Sequence, residues 1–150
     1  MTRSLELDHF VIVAADVDAT LRFYRDVLGA TILEEDAWRN GELVFPIIHF
    51  GPWKANVHAA DGDIELVARR PTAGSIDAAL IWPGPLAEAT RHLVDHDVEV
   101  IYGPVKQPGA RGIGASIYFR DPDGNLLEFI SYDARSVREA PEDPMLQPVA

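Results

Sequence analysis

The sequence predicts an α+β fold made of two β-α-β-β-β modules, and three observations lead there. Segments with strand and helix patterning follow one another in the same order in both halves of the chain. Four of those segments align between the halves with a drift of only two residues. The chain has 150 residues, 47% of them hydrophobic and 25% charged, which suits one globular domain.

The first strand is Leu7 to Val13 (LDHFVIV), short, apolar and β-branched. Asp16 is placed to cap a helix on which Val17, Leu21, Tyr24 and Leu28 recur at helical spacing, and Gly29 stands where such a helix ends. Ala30 to Glu35, Glu42 to Phe50 and Lys54 to Ala60 are the next strands, with Gly51 and Pro52 turning between the last two. The second half repeats the order. Ile76 to Trp82 is a strand, and Leu86, Ala87, Ala89 and Leu93 mark a helix. Val98 to Tyr102, Ala115 to Phe119 and Leu126 to Ser131 are strands, the last two joined by the turn chemistry of Asp121-Pro122-Asp123-Gly124-Asn125. Gly109, Gly112 and Gly114 read as a flexible loop carrying Arg111. Module one therefore spans about residues 5–61 and module two about 75–133, with a loop at 62–75. Residues 134–150 are polar, carry Pro141, Pro144 and Pro148, and read as a tail that is disordered or packed on a partner.

The repeat aligns Leu7-Asp8-His9 with Ser75-Ile76-Asp77 and Gly29-Ala30-Thr31-Ile32 with Asp97-Val98-Glu99-Val100, both at an offset of 68 residues. Ile48-His49-Phe50 meets Ile117-Tyr118-Phe119 at 69, and His58 falls opposite Glu128 at 70. Thus His9, His58, Asp77 and Glu128 become two matched pairs of strand positions.

Charge and composition exclude several functions. The formal net charge is -11, a surface that repels phosphate backbones and anionic membranes, though a local basic pocket for a small anion is compatible with it. There is no cysteine, so disulfides, zinc ribbons and thiol nucleophiles are absent. The start, MTRSLE, lacks the apolar core of a signal peptide, and no apolar run approaches the roughly 20 residues of a membrane helix. A soluble cytoplasmic protein is expected.

Strand alternation identifies candidate chemistry. Glu128 lies in the apolar run LLEFI, where a carboxylate is costly unless it is paired or binds a cation. Two imidazoles with one carboxylate suit zinc, nickel, iron or manganese and leave positions open for substrate. Asp77 is the fourth candidate; its competing reading is a turn cap or a pair with Arg69 or Arg70. Phe50 and Phe119 are expected to face the helices, which turns His49 and Tyr118 the other way. His49 is then a candidate base and Tyr118 a donor to a bound oxyanion. Trp53, beside a turn, and Arg111 are candidate substrate contacts.

The stretches LDHFVIVAADVDATLRFYRDVLG, KANVH and SIYFRDPDGNLLEFISYD resemble the vicinal oxygen chelate superfamily, which holds glyoxalase I, fosfomycin and bleomycin resistance proteins and extradiol dioxygenases. The resemblance covers about residues 5–133 and implies paired βαβββ modules forming a curved mixed sheet around a divalent metal. It also implies a homodimer with shared metal sites, and ligands at His9, His58, Asp77 and Glu128. Members usually show histidine where Asp77 stands, and glyoxalase I a carboxylate where His58 stands. The expected function is a metal-dependent, glyoxalase-like lyase or isomerase acting on a small substrate through its vicinal oxygens, with Glu128 or His49 as proton acceptor. The alternatives are an iron-dependent dioxygenase and a protein that sequesters an antibiotic or metabolite without turnover.

Overall fold

The computed structural model describes residues 3–146. The chain divides into two compact units, one of residues up to Ser75 together with Pro122–Gly124, the other of Ile76–Asp121 together with residues from Asn125 onward.

The first unit contains β1 (His9–Ala14), α1 (Val17–Asp26), β2 (Thr31–Leu33), α2 (Glu35–Arg39), β3 (Ile47–Phe50) and β4 (Trp53–Ala59). Its sheet has the order β1-β4-β3-β2, with β1 parallel to β4 and the other pairs antiparallel. The Asp16 side chain accepts from Ala19 N–H at 3.0 Å and starts α1. Gly29, at φ 67°, turns the chain out of it, while Ala30 N–H donates to Tyr24 O at 3.0 Å. Between these ends α1 buries Thr20, Leu21 and Tyr24. Ile12, Ala14, Ile48, Ala55 and Val57 are buried in the sheet and share one of its faces.

Two expectations change here. Leu33 is the last residue of β2, and a helical turn, α2, occupies part of the sequence read as strand. It is tied down by Arg25–Glu35 at 2.6 Å, Arg39–Glu35 at 2.7 Å and Arg39–Asp18 at 2.8 Å. Glu42 to Phe50 shortens to Ile47–Phe50 because proline at 46 has no N–H for a ladder, although its carbonyl accepts from Val57 N–H at 3.0 Å.

The second unit repeats the plan with β5 (Asp77–Ile81), α3 (Leu86–Asp95), β6 (Tyr102–Gly109), β7 (Gly112–Arg120) and β8 (Leu126–Ser131). The order is β5-β8-β7-β6, with β5 parallel to β8. Leu86, Ala89 and Leu93 of α3 are buried, as are Ile117, Phe119, Leu127 and Phe129 of the sheet, and the Phe119 and Phe129 rings lie 4.7 Å apart. The strand expected at Val98 to Tyr102 is displaced to Tyr102–Gly109 and shares only Tyr102 with that expectation. Val98 N–H instead donates to Leu93 O at 2.9 Å and finishes the helix, and pairing begins at Tyr102.

The glycine-rich stretch is no flexible loop either. It is a hairpin in which Gly109 pairs with Gly112, and a two-residue turn holds Arg111. A Cβ on Gly114 would lie 2.5 Å from Ile130 Cγ1, and one on Gly109 2.0 Å from the Tyr132 hydroxyl. Glycine is therefore there to let those side chains lie across the strands.

The segment after Asp133 also departs from the expected tail. It forms α4 (Ala134–Glu139) and a 3-10 turn, Pro144–Leu146, and folds back on its own unit. Lys106 N–H donates to Pro141 O at 2.8 Å, Leu86 N–H to Ser136 Oγ at 2.9 Å, and Asp143 is 3% exposed. Composition missed this because the contacts are polar. Residues 147–150, with Pro148, lie outside the described residues. No helix among the described residues is long and apolar enough to cross a membrane.

Candidate functional site

Each sheet has one face lined by the buried apolar residues just named and a second face that carries the candidate side chains. In the first unit, His9, Lys54, His49 and Thr31 form one row across the second face. Val11, Asn56, Ile47 and Leu33 form the next row. Beyond them Val13 pairs with His58. His9 and His58 share the face but stand four residues apart in register, about 13 Å along the strand direction.

The two imidazoles differ in surroundings. His9 is exposed, and its Nδ1 meets Asp8 Oδ1 at 2.5 Å; the same contact lowers the Asp8 pKa. His58 is 9% exposed, packs its ring 4.8 Å from Phe45, and has a buried Nε2 without a hydrogen-bond partner among the described residues. Burial lowers its pKa and favours the neutral form, the one that binds metals. His49 is exposed on the His9 row. By alternation Trp53, paired with Phe50, lies on the opposite face, away from the two histidines.

In the second unit, Tyr102, Tyr118 and Glu128 form one row across β6, β7 and β8. Glu128 is half-buried and accepts from the Ser116 hydroxyl. Burial, then the Glu128 charge and a hydrogen-bonding interaction with that carboxylate, raise the Tyr118 pKa well above the ordinary phenol range. Tyr118 is therefore a neutral donor at any physiological pH. Asp77 is exposed on the same face, and its charge adds to the same shift. Asp77 pairs with Leu126, two residues before Glu128. The two modules thus do not present matched donor pairs: the separation in register is four residues in the first and two in the second. The first-unit residue two beyond the partner of His9 is Asn56, 8% exposed, whose Oδ1 accepts from Lys54 Nζ at 3.2 Å.

Arg111 is not beside Glu128. It sits at the hairpin tip, its N–H donating to the Tyr132 hydroxyl at 3.3 Å, about 20 Å along β7 from Tyr118. A cavity of about 400 Å³ lies near this hairpin, lined among others by Lys106, Ile113, Val137 and Arg138. Lys106 and Ile113 alternate to the face opposite Glu128. Among the described residues, no group of three or more histidine, aspartate or glutamate side chains is arranged to hold a metal ion.

Sequence reasoning missed Ser116, Asn56, Tyr102 and Asp143. Ser116 was legible in principle: it is a small polar residue of the same parity as Tyr118 in an apolar strand.

Residues 6–129 match the sequence model of the Glyoxalase/Bleomycin resistance protein/Dioxygenase superfamily. A virulence protein of Salmonella typhimurium is 36% identical over 126 residues, 84% of this chain and 83% of that protein. A glyoxalase domain-containing protein of Mycosarcoma maydis is 39% identical over 126 residues, 84% of this chain and 68% of that protein. Among solved structures, an integron cassette protein from the mobile metagenome of V. cholerae matches with a TM-score of 0.80 at 36% identity, covering 89% of this chain and 99% of that one.

Proposed function

The chain belongs to the Glyoxalase/Bleomycin resistance protein/Dioxygenase superfamily, and from that premise we propose that it is a metal-dependent lyase or isomerase of the glyoxalase type. Its substrate is a small molecule bound through vicinal oxygens. The observation that carries this reading is the row of Glu128 and Tyr118 with Ser116 alongside, a carboxylate held between two hydroxyl groups on the sheet face opposite Phe119 and Phe129.

The donor chemistry suits a divalent ion. Glu128 supplies a carboxylate, and the unpartnered Nε2 of His58 and the imidazole of the exposed His9 are the candidates for nitrogen ligands, with Asp77 as a further carboxylate. When bound, such an ion supplies Lewis-acid stabilisation of negative charge on a substrate oxygen. The protein groups do the rest. Tyr118, kept protonated, donates to an oxygen that gains charge during reaction. The Ser116 hydroxyl donates to Glu128 Oε1, and the Tyr118 hydroxyl bears on the same carboxylate, so the two hydroxyls orient it towards a ligand or a proton. His49 is the second candidate base. A homodimer with shared sites fits the half-exposed apolar residues on these same faces, Val11 and Leu33 in one unit and Ile81 in the other.

The test is elemental analysis of tag-free protein, wild type beside His9→Ala, His58→Ala and Glu128→Ala. Near-stoichiometric divalent metal in the wild type, lost with Glu128→Ala, is the expected result, and the two histidine variants show which imidazole serves. A wild type that is metal-free and ignores added nickel, zinc, manganese and iron overturns the reading in favour of sequestration. Substrate-dependent oxygen uptake would instead mark a dioxygenase.

A further inference from the structure

We propose that Asp143, in the segment first read as a tail, is a positioning residue: it holds the Tyr102 hydroxyl and thereby the ring that backs Tyr118 beside Glu128. This rests on the reading above that Glu128 is the working carboxylate.

Three donors converge on Asp143. Tyr102 Oη donates at 2.5 Å and Met145 N–H at 2.9 Å, both to Oδ1, and Gln107 Nε2 donates to Oδ2. A carboxylate only 3% exposed is tolerated where its oxygens are bonded in this way, and such charge-assisted bonds are short and directional. The Tyr102 hydrogen bond also lowers the Asp143 pKa and raises that of Tyr102, so donor and acceptor keep their roles at neutral pH.

The row itself shows why the hold is needed. Tyr102 pairs with Tyr118, and Tyr118 with Glu128, while the Tyr102 and Tyr118 rings stand 5.8 Å apart at 52°. Immediately after Tyr102 the β6–β7 register slips, and regular pairing resumes only at Val105. The outer end of the row therefore lacks a continuous ladder. Asp143 supplies a side-chain anchor at that point, and the segment bearing it is fixed along β6 by Lys106–Glu142 at 2.6 Å and by the Lys106 N–H to Pro141 O bond.

Cobalt(II) titration of the full chain, followed by visible absorbance, tests this with the metal alone. Asp143→Asn places an amide against groups that need an acceptor, and Tyr102→Phe removes one oxygen with little risk to the fold. Each is expected to weaken cobalt binding about tenfold and to change the band shape, as loss of a supporting partner around a ligand does. The double variant should match the single ones, because both break one link. Wild-type cobalt affinity and spectrum in both variants, with only a lower melting temperature, would make Asp143 a structural clip and overturn the inference. A wild type that binds no cobalt overturns the underlying reading of Glu128, and this inference with it, whatever the variants do.

Discussion

The two units run the same course of four strands with one ten-residue helix, α1 or α3, after the first of them, yet they spend the free face of the sheet differently. The first carries imidazoles at the two ends of that face, one exposed and leaning on Asp8, one buried with an unpartnered nitrogen. The second carries a carboxylate enclosed by Ser116 and Tyr118, with Tyr102 and Asp143 behind it. Duplicated topology thus conserves the covered face, where apolar packing sets the residue choice, and leaves the other face free to diverge. Donors in the first unit are held singly, His9 by Asp8 and His58 by packing against Phe45. In the second they are built into a network.

The largest effect that bears on this contrast comes from the covered face. Phe119 is wholly buried and its ring meets Phe129, so Phe119→Ala should lower unfolding free energy by about 3–5 kcal/mol in urea. Its first-unit counterpart by position in the core, Ile48→Ala, should cost about 2–5 kcal/mol. A loss below about 1 kcal/mol at either site would show that unit's helix-covered face to be less tightly packed than its burial implies.

A smaller loss separates the free faces. Gly114 in the second unit has no room for a Cβ because Ile130, itself 4% exposed, lies across it. Gly114→Ala should therefore destabilise by about 1–3 kcal/mol through overpacking. A neutral result would mean that Ile130 moves aside, and that the network around Glu128 is looser than the register suggests.

What could be read from the sequence follows the same division. The covered faces were legible because alternation and helical spacing betray them: Leu21 is buried on α1 and Phe119 lies on the buried face of its sheet, as expected. The Asp16 cap and the Gly29 stop were legible because each residue satisfies a local backbone need. Registers were not. A shift of two residues between β1–β4 and β5–β8 keeps every side chain on its face, so the alternation that placed His58 and Glu128 could not tell how far each stands from His9 and Asp77. The docked C-terminal segment escaped for another reason: its anchor is Asp143, and a buried aspartate leaves no hydrophobic signature.

The smallest effect concerns acid; its sign is the same in both units and only its onset differs. Burial lowers the His58 pKa from the ordinary 6.5, so the unfolded chain takes up a proton there before the folded one does. Stability from this residue is complete above about 6.5 and declines as pH falls from there towards the native value. Asp143 in the second unit is lowered from 3.8, chiefly by the Tyr102 hydrogen bond, so its contribution persists to about pH 4 and is lost only as pH falls through the native pKa. Urea midpoints measured with a chelator present should show the decline just below pH 6.5 flattened in His58→Gln. The decline below pH 4 should be flattened in Asp143→Asn. If His58→Gln leaves the first slope intact, the His58 imidazole is reached by water and protonates in the fold, which would remove the best reason to regard its Nε2 as waiting for a partner.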